Sequence, residues 1–268
     1  MPTIVQLHRE QAGKISDKWS SYLPVYDNIF AEYKDKPVNL LEVGVQNGGS
    51  LEVWAKYFTK AQKIIGCDIN PNCVKLAYDD QRISVVVGDA NASDIFERIK
   101  GLSGSFDIII DDGSHDSRDI IKTFLLYFPL LAPGGIFVVE DTHTLYWKSH
   151  HGGIKKRTAM QFFKLLVDQM NYEHWRKRYS LKALFRGFSS FFPGGFMSKR
   201  MPVFLTEGWF ESVEFRNSLI LVRKSPAANF AKLGRQLIVG TEAIVLPETI
   251  KFREELNKNE GGKNGNSR

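Results

Sequence analysis

The sequence predicts an α/β protein of the Rossmann-like, doubly wound kind, with a mostly parallel seven-stranded sheet and a closing antiparallel hairpin. Three observations predict it. Five short, nearly continuous apolar runs recur through the first half of the chain and alternate with stretches carrying apolar residues at helical spacing. The runs end in Gly, Asp or Glu, at the positions where open α/β sheets bind their ligands. Near residue 216 two further apolar segments are separated only by a tight polar turn, as a hairpin requires.

Taken in order, residues 14–36 (KISDKWSSYLPVYDNIFAEYKDK) read as one or two aromatic-rich helices. The expected parallel strands are 38–44, 63–68, 83–89, 106–111 and 135–140, each apolar almost throughout and so suited to burial on both faces. Between them SLEVWAKYF, NCVKLAYDD, SDIFERIK and SRDIIKTFLLYF read as helices. Pro71 suits a first helical turn, and Asn91 or Ser93 suits a helix cap. RTAMQFFKLLVDQM reads as an amphipathic helix, residues 178–208 as an irregular excursion or lid, and 211–224 as two strands joined at Arg216-Asn217. The Gly/Asn-rich end, 259–268, reads as disordered.

Composition excludes several classes. With 268 residues, 43% of them hydrophobic, the chain has ample material for a core and is neither a disordered nor a fibrous sequence. Its two cysteines, Cys67 and Cys73, lie too close in sequence to staple a fold of this size, so they are expected as reduced thiols. The most apolar stretch, 124–139, is broken by Pro129, Pro133, Gly134 and Gly135, and the N-terminus lacks the charged head and apolar run of a secretory signal. The expectation is a cytoplasmic protein. Net charge is +6, and the excess is concentrated: 155–200 holds eleven basic residues against Asp168 and Glu173. Such a stretch suits phosphates, acidic glycans or an anionic membrane surface, and equally a solvated face. The Phe-rich basic run LKALFRGFSSFFPGGFMSKR adds the alternative of a peripheral membrane contact presenting a glycolipid acceptor; lid packing or an oligomer contact explains the same composition.

The strand ends carry the chemistry. Glu42-Val-Gly-Val-Gln-Asn-Gly-Gly-Ser50 follows the first strand, and Gly44, Gly48 and Gly49 permit a tight turn with exposed amides at a helix start. Its spacing is not GxGxxG, and a purely structural turn explains it too. Asp68 ends the second strand, where a carboxylate can accept from both ribose hydroxyls of an adenosine cofactor. Asp89-Ala90 ends the third, where a carboxylate can meet an adenine amino group. The fourth ends in Asp111-Asp112-Gly-Ser-His115 and the fifth in Glu140-Asp141-Thr-His143. Adjacent strands would gather Asp112, Glu140 and Asp141 in one crevice, and three carboxylates together call for a cation. An all-oxygen set suits Mg²⁺, with Mn²⁺ as the alternative. The competing reading is that these acids cap helices or pair with lysines.

These motifs (LLEVGVQNGGSL, IIGCDINP, VVGDA, FDIIIDDGSH and LAPGGIFVVEDTHTLYW) resemble the class I S-adenosylmethionine-dependent methyltransferases. More narrowly they resemble the metal-dependent sugar O-methyltransferases of the macrocin and mycinamicin type, whose aromatic entry segment is similar to SDKWSSYLPVYDNIF. The resemblance covers 16–153 and, loosely, the 211–224 hairpin, whereas 155–208 carries no matching substrate motif. It implies Asp112, Glu140 and Asp141 as Mg²⁺ ligands and His115 as general base. His143, by its place at the fifth strand end, is a second catalytic candidate for substrate contact and equally a hydrogen-bonded loop histidine. The resemblance also implies a cofactor site of Glu42, Gly44, Asn47, Gly48, Ser50, Asp68, Asp89, Ala90 and Asp111. The implied layout is a methyltransferase domain over 1–225: a helical lid (1–36), a cofactor and metal half (37–153), a basic aromatic substrate-side insertion (154–210) and the hairpin. A C-terminal extension, 226–268, follows.

The expected reaction is Mg²⁺-dependent methyl transfer from S-adenosylmethionine to a sugar hydroxyl of a glycan or glycosylated metabolite. The alternatives are a catechol-like or phenolic acceptor, or cofactor binding without turnover. The expected partners are a sugar-containing small molecule or glycan and a second copy of the chain. Nucleic acid is not among them, because the NPPY- or DPPY-type signature is missing at the fourth strand. Lys18, Trp19, Tyr22 and Tyr26 are expected to close over the cofactor, the three aromatics having ordinary core packing as their alternative. Tyr146 and Trp147 can stack on a sugar face or pack in the core. His8, His150, His151 and His174 are read as surface or loop residues.

Overall fold

In the computed structural model, residues 2–154, 157–171, 174, 203–205, 209–226 and 239 are described. Two units divide the chain, Met1–Lys232 and Leu233–Arg268, and the first contains every element discussed below. The lid reading of 178–208 falls almost entirely outside the described residues, and the C-terminal extension does so apart from Pro226 and Val239.

The elements are helices α1 (Ile4–Arg9) and α2 (Tyr22–Phe30), strand β1 (Asn39–Val43), helix α3 (Gly49–Tyr57), strands β2 (Lys63–Asp68) and β3 (Ile83–Val87), helix α4 (Ser93–Leu102), strand β4 (Phe106–Asp111), helix α5 (Ser117–Tyr127), strand β5 (Leu131–Val139), helix α6 (Ala159–Met170) and strands β6 (Phe210–Arg216) and β7 (Leu219–Lys224). They build one seven-stranded sheet in the order β3-β2-β1-β4-β5-β7-β6. β1 to β5 run parallel, and β7 joins β5 antiparallel with β6 outside it. The order reverses between β1 and β4, which opens a crevice at their carboxyl ends.

Alternate residues of each strand feed two cores. Leu41, Val43, Phe137, Val139, Ile220 and Val222 face α4, α5 and α6. Leu40, Ile108, Ile110, Ile136, Val138 and Leu221 face α1, α2 and α3, where Tyr26, Phe30, Trp54 and Phe58 form an aromatic cluster.

Three local expectations need correction, and one helix was not expected. NCVKLAYDD forms only a 3-10 turn, Pro71–Lys75, capped by Asn70. The chain then turns extended at Leu76, and the Tyr78 hydroxyl donates to Gly48 O at 3.0 Å, so contact with the glycine loop overrides helical spacing. Neither Asn91 nor Ser93 caps α4; Ala92 holds the cap position, without a side-chain bond. The predicted strand at 135–140 begins earlier, at Leu131, because a register shift opposite 106–108 absorbs Pro133 and Gly134. Finally, α1 escaped the sequence reading. Thr3 and Gln6 close its first turn reciprocally as a capping box, and its buried Ile4 amide donates to Asp27 Oδ1 on α2.

Candidate active site

A cleft of about 660 Å³ lies at the carboxyl ends of the parallel strands, spanning the switch point. Its floor is the turn after β1. Gly44, at φ +86°, passes so close to β4 that a Cβ there would sit 2.0 Å from the Asp112 carbonyl oxygen, so only glycine fits. Asp68 organises this turn: one oxygen accepts the Val45 and Gln46 amides (2.9 and 2.8 Å), and the other accepts Asn70 N–H at 2.8 Å. Asp89 likewise accepts the Asn91 amide at 2.8 Å. Both aspartates line the cleft with Gly44, Ser50, Ala90 and Asp111. Asp111 Oδ1 accepts Gly113 N–H, while Oδ2 is buried with no hydrogen-bond partner. Burial pushes its carboxyl up to about 7, against the Gly113 amide, which favours the charged form. Glu42 is fully buried and does not itself line the cleft; it lies behind Ser50, whose Oγ (2.6 Å) donates to its Oε2 together with Trp54 Nε1 (3.1 Å). Asn47 is exposed, and neither it nor Gly48 lines the cleft.

Strand register explains the acids. Glu42 pairs with Ile110, and Ile110 with Val138. Asp112 and Glu140 lie two residues beyond those partners, so all three acids face α2 and α3. There they meet one ammonium: Lys18 Nζ donates to Glu42 Oε1 (2.9 Å), Asp112 Oδ2 (2.6 Å) and Glu140 Oε1 (2.7 Å), with its side chain only 3% exposed. Burial disfavours the charge on Lys18, but the three carboxylates outweigh that and hold its pKa well above the ordinary value. Burial and mutual repulsion push the Asp112 and Glu140 carboxyls up, and Lys18 pulls both back. The Tyr26 hydroxyl also donates to Glu140 Oε1, at 2.7 Å.

A second, more open cluster shares Asp112. Asp112, His115 and Asp141 each offer a ligand atom within 4.8 Å of the others, as do Glu42, Asp112 and Glu140 on the inner side. The predicted trio of Asp112, Glu140 and Asp141 therefore lines one cleft but is divided between two overlapping clusters. His115 Nε2 lies 3.6 Å from Asp141 Oδ2 and 4.0 Å from Asp112 Oδ1. Burial lowers the His115 pKa, opposed by the Asp141 charge and assisted by the His150, Lys18 and His143 charges. Trp19 Nε1 (2.9 Å) and Tyr22 Oη (2.7 Å) donate to Asp141 Oδ1.

Three cleft residues, Gln46, His115 and Asp141, adopt left-handed backbone at φ 47°, 56° and 52°. Each such non-glycine residue costs on the order of 1 kcal/mol or more, so surrounding bonds must hold it. The Thr144 hydroxyl shares its one proton between two of them, lying 3.0 Å from His115 O and 2.8 Å from Asp141 O.

His143 stands apart from the cleft lining. Its Nδ1 is 2.5 Å from Ser218 Oγ, and its ring packs edge-on against Trp19 and Trp147. Tyr146 and Trp147 are about half exposed rather than core residues. His151 Nδ1 pairs with Asp116. The sequence reading named Lys18, Tyr22 and Tyr26 as a cover over the cofactor but missed their bonds to the acids. Spacing of i, i+4 on α2 links the polar tips of Tyr22 and Tyr26, whereas Lys18 precedes that helix and only the lack of a basic partner for the acids pointed to it. The competing expectation, that these acids pair with a lysine, is what Lys18 does.

The methyltransferase domain family model matches residues 41–142. The chain is 35% identical to the 8-demethyl-8-alpha-L-rhamnosyl tetracenomycin-C 2'-O-methyltransferase of Streptomyces olivaceus, over 61% of this chain and 45% of that one. It is 33% identical to a Methanocaldococcus jannaschii relative provisionally named a protein N5-glutamine methyltransferase, over 43% of this chain and 68% of the relative. Among solved structures it is similar to the MycE methyltransferase from the mycinamycin biosynthetic pathway in complex with Mg and SAH, with a TM-score of 0.66 and 26% identity over 84% of this chain and 55% of that one. The chain spans about half the length of the first curated relatives it matches.

Proposed function

From the premise that this chain belongs to the methyltransferase family, we propose that it methylates a sugar hydroxyl of a glycan or glycosylated small molecule, using S-adenosylmethionine and a divalent ion, Mg²⁺ first. The single observation that carries the reading is the meeting of Asp112, Glu140, Asp141 and His115 in one cleft at the switch point. Cofactor binding alone does not need that set. The sugar acceptor rests on the activity named for the Streptomyces relative, and the pairing of cofactor and ion on the Mg and SAH bound in the MycE structure.

The residues fit both groups. Four carboxylates against the one ammonium of Lys18 leave negative charge over, and their hard oxygens suit Mg²⁺. Asp112, Glu140 and Asp141 would hold it. The partnerless Asp111 Oδ2 offers the cofactor a buried acceptor, and the cleft volume suits a ligand of its size. Gly44, Asp68, Asp89, Ala90 and Asp111 line its side of the cleft. Ser50 lines the cleft, and Glu42 fixes it from behind by accepting a hydrogen bond from its hydroxyl.

A bound divalent ion lowers the pKa of a coordinated hydroxyl, and the cofactor's sulfonium offers an electrophilic methyl group. The chain's own residues do the rest. His115, held neutral by burial, takes the hydroxyl proton at Nε2, and Asp141 beside it steadies the imidazolium that results. Thr144 fixes the backbone of both, so the base keeps its aim while the acceptor is positioned.

Methyl transfer from labelled cofactor to rhamnosylated acceptors, measured by product mass with and without EDTA, tests this. Asp112→Ala and Asp141→Ala are expected to bind S-adenosylhomocysteine yet lose turnover. Full activity after exhaustive EDTA treatment overturns the metal role, and methylation of catechols but not sugars overturns the acceptor.

A further inference from the structure

The Lys18 side chain is 3% exposed, and its ammonium lies within 2.9 Å of oxygens from three different carboxylates. It is delivered there by the segment 15–20, which lines the cleft and is stapled on both sides. Gly49 N–H donates to Ile15 O at 3.1 Å, Lys14 pairs with Glu52, and Trp19 Nε1 donates to Asp141. Two of the three acids that Lys18 touches, Asp112 and Glu140, are those the preceding reading assigns to the divalent ion, and the present inference rests on that reading. Lys18 occupies one oxygen of each, Asp112 Oδ2 and Glu140 Oε1, and a divalent ion brought to the same carboxylates would be repelled by the ammonium, strongly so away from bulk water.

We infer that Lys18 is a tethered cation competing with the divalent ion for Asp112 and Glu140, so that ion binding releases the 15–20 segment from its docked position. The lysine thereby neutralises the buried acids until the ion arrives, and ion loading is coupled to the segment that roofs the cleft.

Mn²⁺ titrated into the full chain without cofactor, and read by the paramagnetic resonance of the free ion, tests the competition. Lys18→Met is expected to bind Mn²⁺ about tenfold more tightly than the unmodified chain. Lys100→Met removes the same charge from an exposed pair with Glu97 on α4, away from the cleft, and is expected to stay within about twofold. In the unmodified chain, saturating Mn²⁺ is expected to speed amide hydrogen exchange across 15–20. Equal or weaker binding by Lys18→Met, an equal gain in Lys100→Met, or unchanged exchange overturns the inference. The exchange result on the unmodified chain decides the matter if Lys18→Met does not fold. Binding by Lys18→Met but not by the unmodified chain upholds the competition while removing the native metal role. Binding by neither removes both.

Discussion

His115 combines three properties that a base at this position needs. Its backbone is held left-handed, its ring faces Asp141, and burial keeps its pKa below the ordinary histidine value. The neutral ring is the base, so its part in the reaction is lost as pH falls through that lowered value. The acid limb of the pH–rate profile is expected on the acid side of pH ~6.5. His115→Ala is expected to remove that limb and to slow turnover by ~10²–10⁴-fold. Tyr26 has a different task. Its ring stacks on Phe30 at 5.0 Å and meets Trp54 edge-on, while its hydroxyl donates to buried Glu140. Tyr26→Phe keeps the packing and loses only the donor, so urea denaturation is expected to show a loss of about 1.5–3 kcal/mol.

At the scale of elements, the 11–26 stretch matters most, because it carries side chains into the mouth of a sheet to which it contributes no strand. Its passage over α3 depends on Gly49, where a Cβ would stand 2.2 Å from Lys14 O and 2.5 Å from Ile15 O. Those are backbone atoms, which cannot swing aside as a side chain would. Gly49→Ala is expected to lift the segment from α3, costing about 1–3 kcal/mol and speeding hydrogen exchange at 14–20. Exchange left as slow as in the parent would show that the segment is anchored elsewhere. Helix α2 presents Tyr22 and Tyr26 one turn apart, and the two hydroxyls hold the neighbouring acids Asp141 and Glu140. One helical face thus orients two adjacent residues that a strand end would otherwise leave free.

Over the whole molecule, two cores clamp the sheet from opposite faces and leave the cleft at the reversal of strand order. A ligand that binds only the folded state stabilises it by mass action, about 2.7 kcal/mol at a hundred times its Kd. S-adenosylhomocysteine is therefore expected to raise the thermal midpoint by roughly 5–10 °C under those conditions, whereas NAD is expected to leave it unchanged. Among the described residues no helix is long and apolar enough to cross a membrane. The basic Phe-rich run that suggested membrane contact lies outside the described residues.

The strand runs, their parallel order, the closing hairpin and the acids at the strand tips were legible in the residues alone. Apolar periodicity and the chemistry of strand ends are local properties, and a parallel sheet with crossover helices admits few arrangements of them. The failure of 72–80 to form a helix was not legible, because Tyr78 is drawn to Gly48, 30 residues away. Nor was the division of the acids into two clusters around Asp112. That depends on an ammonium 24 residues from Glu42 and 122 from Glu140, and on which strand face each carboxylate takes. Sequence by itself determined which groups the chain would bring to the sheet's carboxyl edge. Tertiary structure alone decided which charges meet there, because burying an ion requires a partner at contact distance, and contact across such separations exists only once the chain is folded.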